Sequence, residues 1–160
     1  MPAQIIGALD VERMLLSVDM RAKKRAVRRI YDEANKIAEI AREMAPVDEG
    51  YLEKSIKVSP SSLERARDEM GRFVRTDVSV FVDEDMMVPT TSGKQKRVGD
   101  YAYMVHEWVT PYGMKNLGPL SQEKQMSTSY VVGGGFLERA ADMRVDDLVQ
   151  GVAEDLREEF

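Results

Sequence analysis

From Met20 to Met44, apolar side chains return every three or four residues: Ala22, Ala26, Val27, Ile30, Ala34, Ile37, Ala38, Ala41 and Met44. This is the period of an α-helix with one apolar face. On a helical wheel these residues fill one arc, and Arg21, Lys24, Arg25, Arg28, Arg29 and Lys36 take the opposite side. The spacing therefore predicts a helix over 20–44, buried on one face and wet on the other. Asp19 is suited to cap its start. Pro46 ends it, because the residue before a proline is pushed out of helical geometry. A shorter helical segment, Asp10 to Ser17, precedes it.

After Pro46 the period changes. In APVDEGYLEKSIKV, residues 45 to 58, Pro46, Asp48 and Gly50 turn the chain, and polar–apolar alternation follows. The period-2 runs Ser55 to Val58, Phe73 to Val82 and Tyr101 to Val109 predict three or four strands in an antiparallel sheet. Met70-Gly71 reads as a turn, and Ser61 to Glu69 as a hairpin arm or loop. Two segments, 83–100 and 111–135, combine turn-forming residues with no sustained period and read as long loops serving as contact elements. A last helix follows Gly133-Gly134-Gly135, its stripe traced by Leu137, Ala141, Val145, Leu148, Val149, Val152 and Leu156. The expected fold is α+β: a long N-terminal helix and a C-terminal helix packed on a small antiparallel sheet, with long loops.

A chain of 160 residues fits one domain, 1–160, long enough to bury roughly two thirds of its unfolded surface. With 43% apolar and 32% charged residues, the composition is that of a soluble globular protein. No apolar run approaches a bilayer span. The first residues lack the basic start and apolar stretch of a secretion signal, so synthesis in the cytoplasm is expected. Without cysteine, disulfides, thiolate metal sites and cysteine nucleophiles are excluded.

The net charge of −5 is unevenly spread. RAKKRAVRR, residues 21 to 29, is wholly basic in its charges, whereas Asp142, Asp146, Asp147, Glu154, Asp155, Glu158 and Glu159 make the last helix acidic. A second small basic group, Lys94, Lys96 and Arg97, lies in the 83–100 segment. A basic run attracts phosphates, so one reading is a nucleic-acid-binding module using the basic face of helix 20–44. No aromatic residues interleave with these bases to stack on nucleobases.

Signs of catalysis are few. His106-Glu107 resembles the start of a zinc-protease helix, but the second histidine that motif needs at 110 is a threonine. The bland alternative is a polar pair near a strand end. The glycine triplet lacks the Lys-Ser/Thr of a phosphate-binding loop, and Ser55, Ser59 and Ser61 have no nucleophile-elbow glycines. No catalytic, cofactor-binding or metal-ligating residue is assigned, and the reading points away from an enzyme.

Three short motifs point elsewhere. Ala45-Pro46-Val47-Asp48-Glu49-Gly50 running through Leu52 and Ser55-Ile56, then Tyr101-Ala102-Tyr103-Met104-Val105-His106-Glu107, then Gly134-Gly135-Phe136-Leu137-Glu138-Arg139-Ala140, resemble in order three motifs of the tail-completion, or neck, proteins of tailed bacteriophages. The resemblance covers residues 10 to about 155. It departs after Glu107, where Trp108-Val109-Thr110 stands in place of an aromatic, Gly and Thr. It implies a non-enzymatic virion protein: a ring, a hexamer or dodecamer, joining the portal or adaptor of the DNA-filled head to the tail terminator or tail tube, with DNA passing through the lumen and no membrane or cofactor involved. Partner contacts are then expected at Arg21, Lys24, Arg25, Arg28, Arg29, Lys94, Lys96 and Arg97.

Overall fold

The structure is a computed structural model that describes residues 20–47, 50–59, 78–90, 92–108 and 117–158. The helix expected over Asp10 to Ser17, the segment Ser61 to Glu69, the Met70-Gly71 turn and the Phe73–Asp77 part of the second strand lie outside these residues. The fold is α+β. In chain order the elements are α1 (Met20–Met44), α2 (Tyr51–Ser55), β1 (Ile56–Val58), β2 (Val80–Val82), β3 (Met87–Pro89), β4 (Gln95–Arg97), α3 (Gly99–Trp108), α4 (Pro119–Ser127), α5 (Phe136–Asp142) and α6 (Val145–Arg157).

Helix α1 has the limits its periodicity predicts, and Ala22, Ala26, Val27, Ala34, Ile37, Ala38 and Ala41 are all fully or almost fully buried. Five of those seven are alanine, so neighbouring elements approach its axis closely. The bend after Pro46 leads to Gly50, whose φ of 76° lies in the left-handed region that side-chain-bearing residues avoid. The chain then takes one short helix before its strand. Ser55 closes α2 by donating its hydroxyl to the Leu52 carbonyl at 2.6 Å, so the strand expected from Ser55 begins at Ile56.

β1 and β2 pair antiparallel with Ile56 opposite Val82 and Val58 opposite Val80. Opposed residues share a face, and this one packs on α1. Lys57 and Phe81 point the other way, where Lys57 pairs with Asp83. The expected single sheet is instead two separate two-stranded sheets, since β3 and β4 pair only with each other among the described residues. That hairpin occupies the 83–100 segment expected as a loop. Its turn is closed by the Thr90 amide donating to the Lys94 carbonyl at 2.8 Å, and Val88 anchors it in the core.

Two further expectations are corrected. Tyr101 to Val109 is no strand: residues through Trp108 belong to α3. The segment YAYMVHEW is rich in the aromatic and branched residues of strands, but its burial has the helical period, with Val98, Ala102 and His106 inside and Tyr103, Met104 and Glu107 outside. Tertiary contact overrides propensity in so short a run. The 111–135 segment is likewise not a continuous loop, because it contains α4. The C-terminal helix also divides, α5 ending at Asp142 and α6 starting at Val145 across a turn at Met143-Arg144. No proline or glycine marks that break.

The main core joins the second half of α1 to β1, β2, α3 and α5, with Ile37, Ile56, Val80, Phe136 and Leu137 almost wholly enclosed. A smaller core joins Ala22 and Ala26 to Leu148, Val152 and Leu156 of α6. Ile37 is 1% exposed, so Ile37→Asp buries a carboxylate without a partner and is expected to cost more than about 3 kcal/mol. Thermal unfolding followed by circular dichroism measures this. A variant melting at the wild-type temperature would remove that face from the core.

Candidate interaction surface

The charged surface is organised around the contact between α1 and α6. Rising along α1, Arg25, Arg29 and Glu33 meet Glu158, Asp155 and Arg144 falling along α6 and its first turn, so the helices run antiparallel. Arg29 grips Asp155 through two nitrogens, Nε to Oδ2 and Nη2 to Oδ1 at 2.9 Å. The guanidinium reaches across α6 where Gly151 has no side chain: a Cβ there would lie 2.6 Å from Arg29 Cδ. Glycine in mid-helix costs up to about 1 kcal/mol relative to alanine, and here it admits the arginine stem.

Glu33 is the charge that periodicity should have flagged. It stands three residues after Ile30 and four before Ile37, inside the apolar arc, and only 5% of its side chain is exposed. Arg144 donates to its Oε2 through Nε at 3.0 Å and Nη2 at 2.6 Å, and Lys36 donates to Oε1 at 2.6 Å. Burial alone pushes this carboxyl up, but the hydrogen bonds from Lys36 and Arg144 and their charges outweigh it and hold Glu33 below the usual carboxylate range. The hydrogen bond from Arg29 likewise holds Asp155 low.

The eight basic residues expected to meet a partner therefore divide. Arg29 is engaged within the chain, and Arg25 lies 3.6 Å from Glu158. Arg21, Lys24 and Arg28 are exposed, share one face at i, i+3 and i+7, and enter no ion pair among the described residues. The remaining three sit on the β3–β4 hairpin, where Arg97 pairs with Asp85 and the Lys96 ammonium lies 5.4 Å from the centre of the Tyr101 ring. They form a second, separate basic group.

α4 was not legible as an element and is built inside out. Its polar residues face the protein: Ser121 donates to the Val47 carbonyl at 2.8 Å and accepts from the Val47 amide at 2.7 Å. Lys124 directs its three protons to the Arg42 and Ala45 carbonyls and to Glu53. A cation at the carbonyl end of α1 is also favoured by the helix dipole. Leu120 and Met126 meanwhile point outward, 50% and 76% exposed. No protein-family model, curated protein or solved structure matches the chain.

His106 is on a helix, not at the strand end expected for it. Its ring meets Phe136 edge-on, with centroids 5.1 Å apart, and its Nδ1 lies 3.2 Å from Glu107 Oε1. Nε2 is buried without a hydrogen-bond partner among the described residues beside a cleft of about 20 Å³ lined by Val82, Glu84, Tyr103 and Leu137. Such a space holds about one water. No group of three or more His, Asp or Glu side chains that could hold a metal occurs among the described residues.

Because Glu33 and Asp155 titrate lower in the folded chain than in the unfolded one, their contribution to stability is present above the ordinary carboxyl values of about 4. It is lost as pH falls through the lowered folded values. Glu33→Gln leaves Arg144 with Asp147 alone and is expected to cost roughly 2 to 3 kcal/mol at pH 7, and to flatten the acid limb of a stability profile. Urea unfolding between pH 2 and 7 reads both. An unchanged acid limb would mean that Glu33 titrates alike in the folded and unfolded chains, and that the contacts from Lys36 and Arg144 do not hold its carboxyl low.

Proposed function

We propose that this chain is a structural neck subunit of a tailed bacteriophage, one of a ring that joins a DNA-filled head to its tail. What supports this is the meeting of its three neck-like motifs. Ala45, Leu52 and Ile56 of the first, Ala102 of the second and Phe136, Leu137 and Ala140 of the third belong to one buried cluster. A main-chain bond links the third to the second, the Gly135 amide donating to the His106 carbonyl at 2.9 Å, and the residues just before the third and first are joined likewise, the Gly133 amide donating to the Met44 carbonyl at 2.9 Å. Motifs that are short and scattered in sequence thus form one junction, as expected of residues that specify a common fold.

The mechanism is assembly. Joining head to tail needs surfaces rather than a reaction, and ring closure needs two different patches on each subunit. The basic edge of Arg21, Lys24 and Arg28 suits an acidic surface on an adjoining ring, where it speeds and orients docking more than it tightens it. An acidic lumen elsewhere lets DNA pass without adhering.

The expected outcome is that virions made without the protein yield filled heads and separate tails, and that purified protein restores joining. Reversing Arg21, Lys24 and Arg28 to Glu should reduce restoration without changing the melting temperature, because exposed charges contribute little to folding. Heads and tails that join normally in its absence would overturn the proposal. Duplex DNA binding that weakens steeply with salt, with joining unaffected, would favour the nucleic-acid reading of α1 instead.

A further inference from the structure

Among the exposed large apolar residues, Met87 lies on the β3–β4 hairpin and Met143 and Val149 lie on the α5–α6 corner and the first turns of α6, two parts of the chain that carry opposite charge. One is the β3–β4 hairpin. Since opposed residues share a face, Val88 and Lys96 lie on its inner side, and Met87, Pro89, Gln95 and Arg97 lie on its outer side. Val88 is buried and Met87 is 48% exposed. Lys94 adds a charge at the turn, and no acid occurs within residues 87–97. Asp85, at the foot of β3, answers Arg97 alone. A two-stranded hairpin is marginal by itself, and among the described residues the outer side of this one is left exposed.

The other part is the corner between α5 and α6. Met143 and Val149 are 54% and 50% exposed there, beside Asp142 and Asp146, which enter no ion pair among the described residues. Hairpin and corner are thus both half apolar, and their charges are opposite. No hydrogen bond or ion pair joins them within one chain among the described residues.

Resting on the neck reading, we infer that the outer face of the β3–β4 hairpin docks on the α5–α6 corner of a second copy of this chain. Met87 and Pro89 cover Met143 and Val149, and Lys94 and Arg97 face Asp142 and Asp146. The contact is heterologous, one patch meeting a different one, which is the kind that closes into a ring. Apolar burial supplies its affinity and charge its orientation.

The test uses the full chain and two charge reversals, Lys94→Glu with Arg97→Glu on the hairpin, and Asp142→Lys with Asp146→Lys at the corner. All four sites are exposed, so melting temperatures should stay at the wild-type value. Native mass spectrometry and light scattering over a concentration series should show each reversal weakening self-association by roughly tenfold or more. Self-association should return when both reversals are combined in one chain, or when the two variants are mixed. Variants that assemble like wild type would overturn this contact and leave the neck reading standing. Weakening without recovery in the combined chain would overturn the pairing of these two patches. A wild-type chain that is monomeric at every concentration would overturn the contact between copies, and the joining assay alone would then decide the neck reading.

Discussion

One long helix has more apolar surface than any other element can cover. α1 runs for 25 residues, about 37 Å, and no other helix among the described residues exceeds the 13 residues of α6. Its stripe is therefore covered in two lengths, α6 over the first half and α5 with the strands over the second. The two covers meet opposite Ile30 and Glu33. The turn at Met143-Arg144 falls at that seam, which accounts for a helix break that has no breaker residue in it. Arg144, in the turn between the two helices, reaches Glu33 and Asp147 there with its guanidinium.

The enclosed Glu33–Arg144 pair at the seam and the part-exposed Arg29–Asp155 pair beside it are better understood as register marks than as sources of stability. Enclosing an ion pair costs about as much as its attraction returns, whereas leaving one partner alone is expensive. An α6 slipped by one turn would strand Glu33 and Asp155 together and lose the gap at Gly151. The opposite charges of the first and last helices thus act first within the subunit. The far side of α1 and the outer faces of the hairpin and the α5–α6 corner stay exposed.

The legible parts were those where one physical rule acts alone. Twenty-five residues of unbroken period, ended by Pro46, gave α1 its limits. The alternation in Ile56–Val58 and Val80–Val82 gave strands. Tyr101 to Trp108 misled because aromatic and branched residues fit a strand equally well, and only the burial of Ala102 and His106 on one face decides for helix. Glu33 could have been found as an acid inside an apolar arc. α4 could not, since its attachment uses Ser121 and Lys124, whose inward direction leaves no trace in hydropathy. The division of the basic residues between internal pairs and open surface depended on where α6 lies, which no local pattern states.

The way α4 is held has a consequence for how such a chain can diverge. Apart from Glu53, the atoms that Ser121 and Lys124 grip are main-chain atoms of residues 42, 45 and 47, which every substitution short of proline supplies unchanged. Apart from Glu43, which accepts from Thr128 at the end of α4, side-chain identities along that stretch are therefore free to drift as far as α4 is concerned. A single residue inserted or deleted between Arg42 and Val47 would instead rotate or shift those carbonyls out of reach of one lysine and one serine together. Relatives should vary in letters here and keep their length.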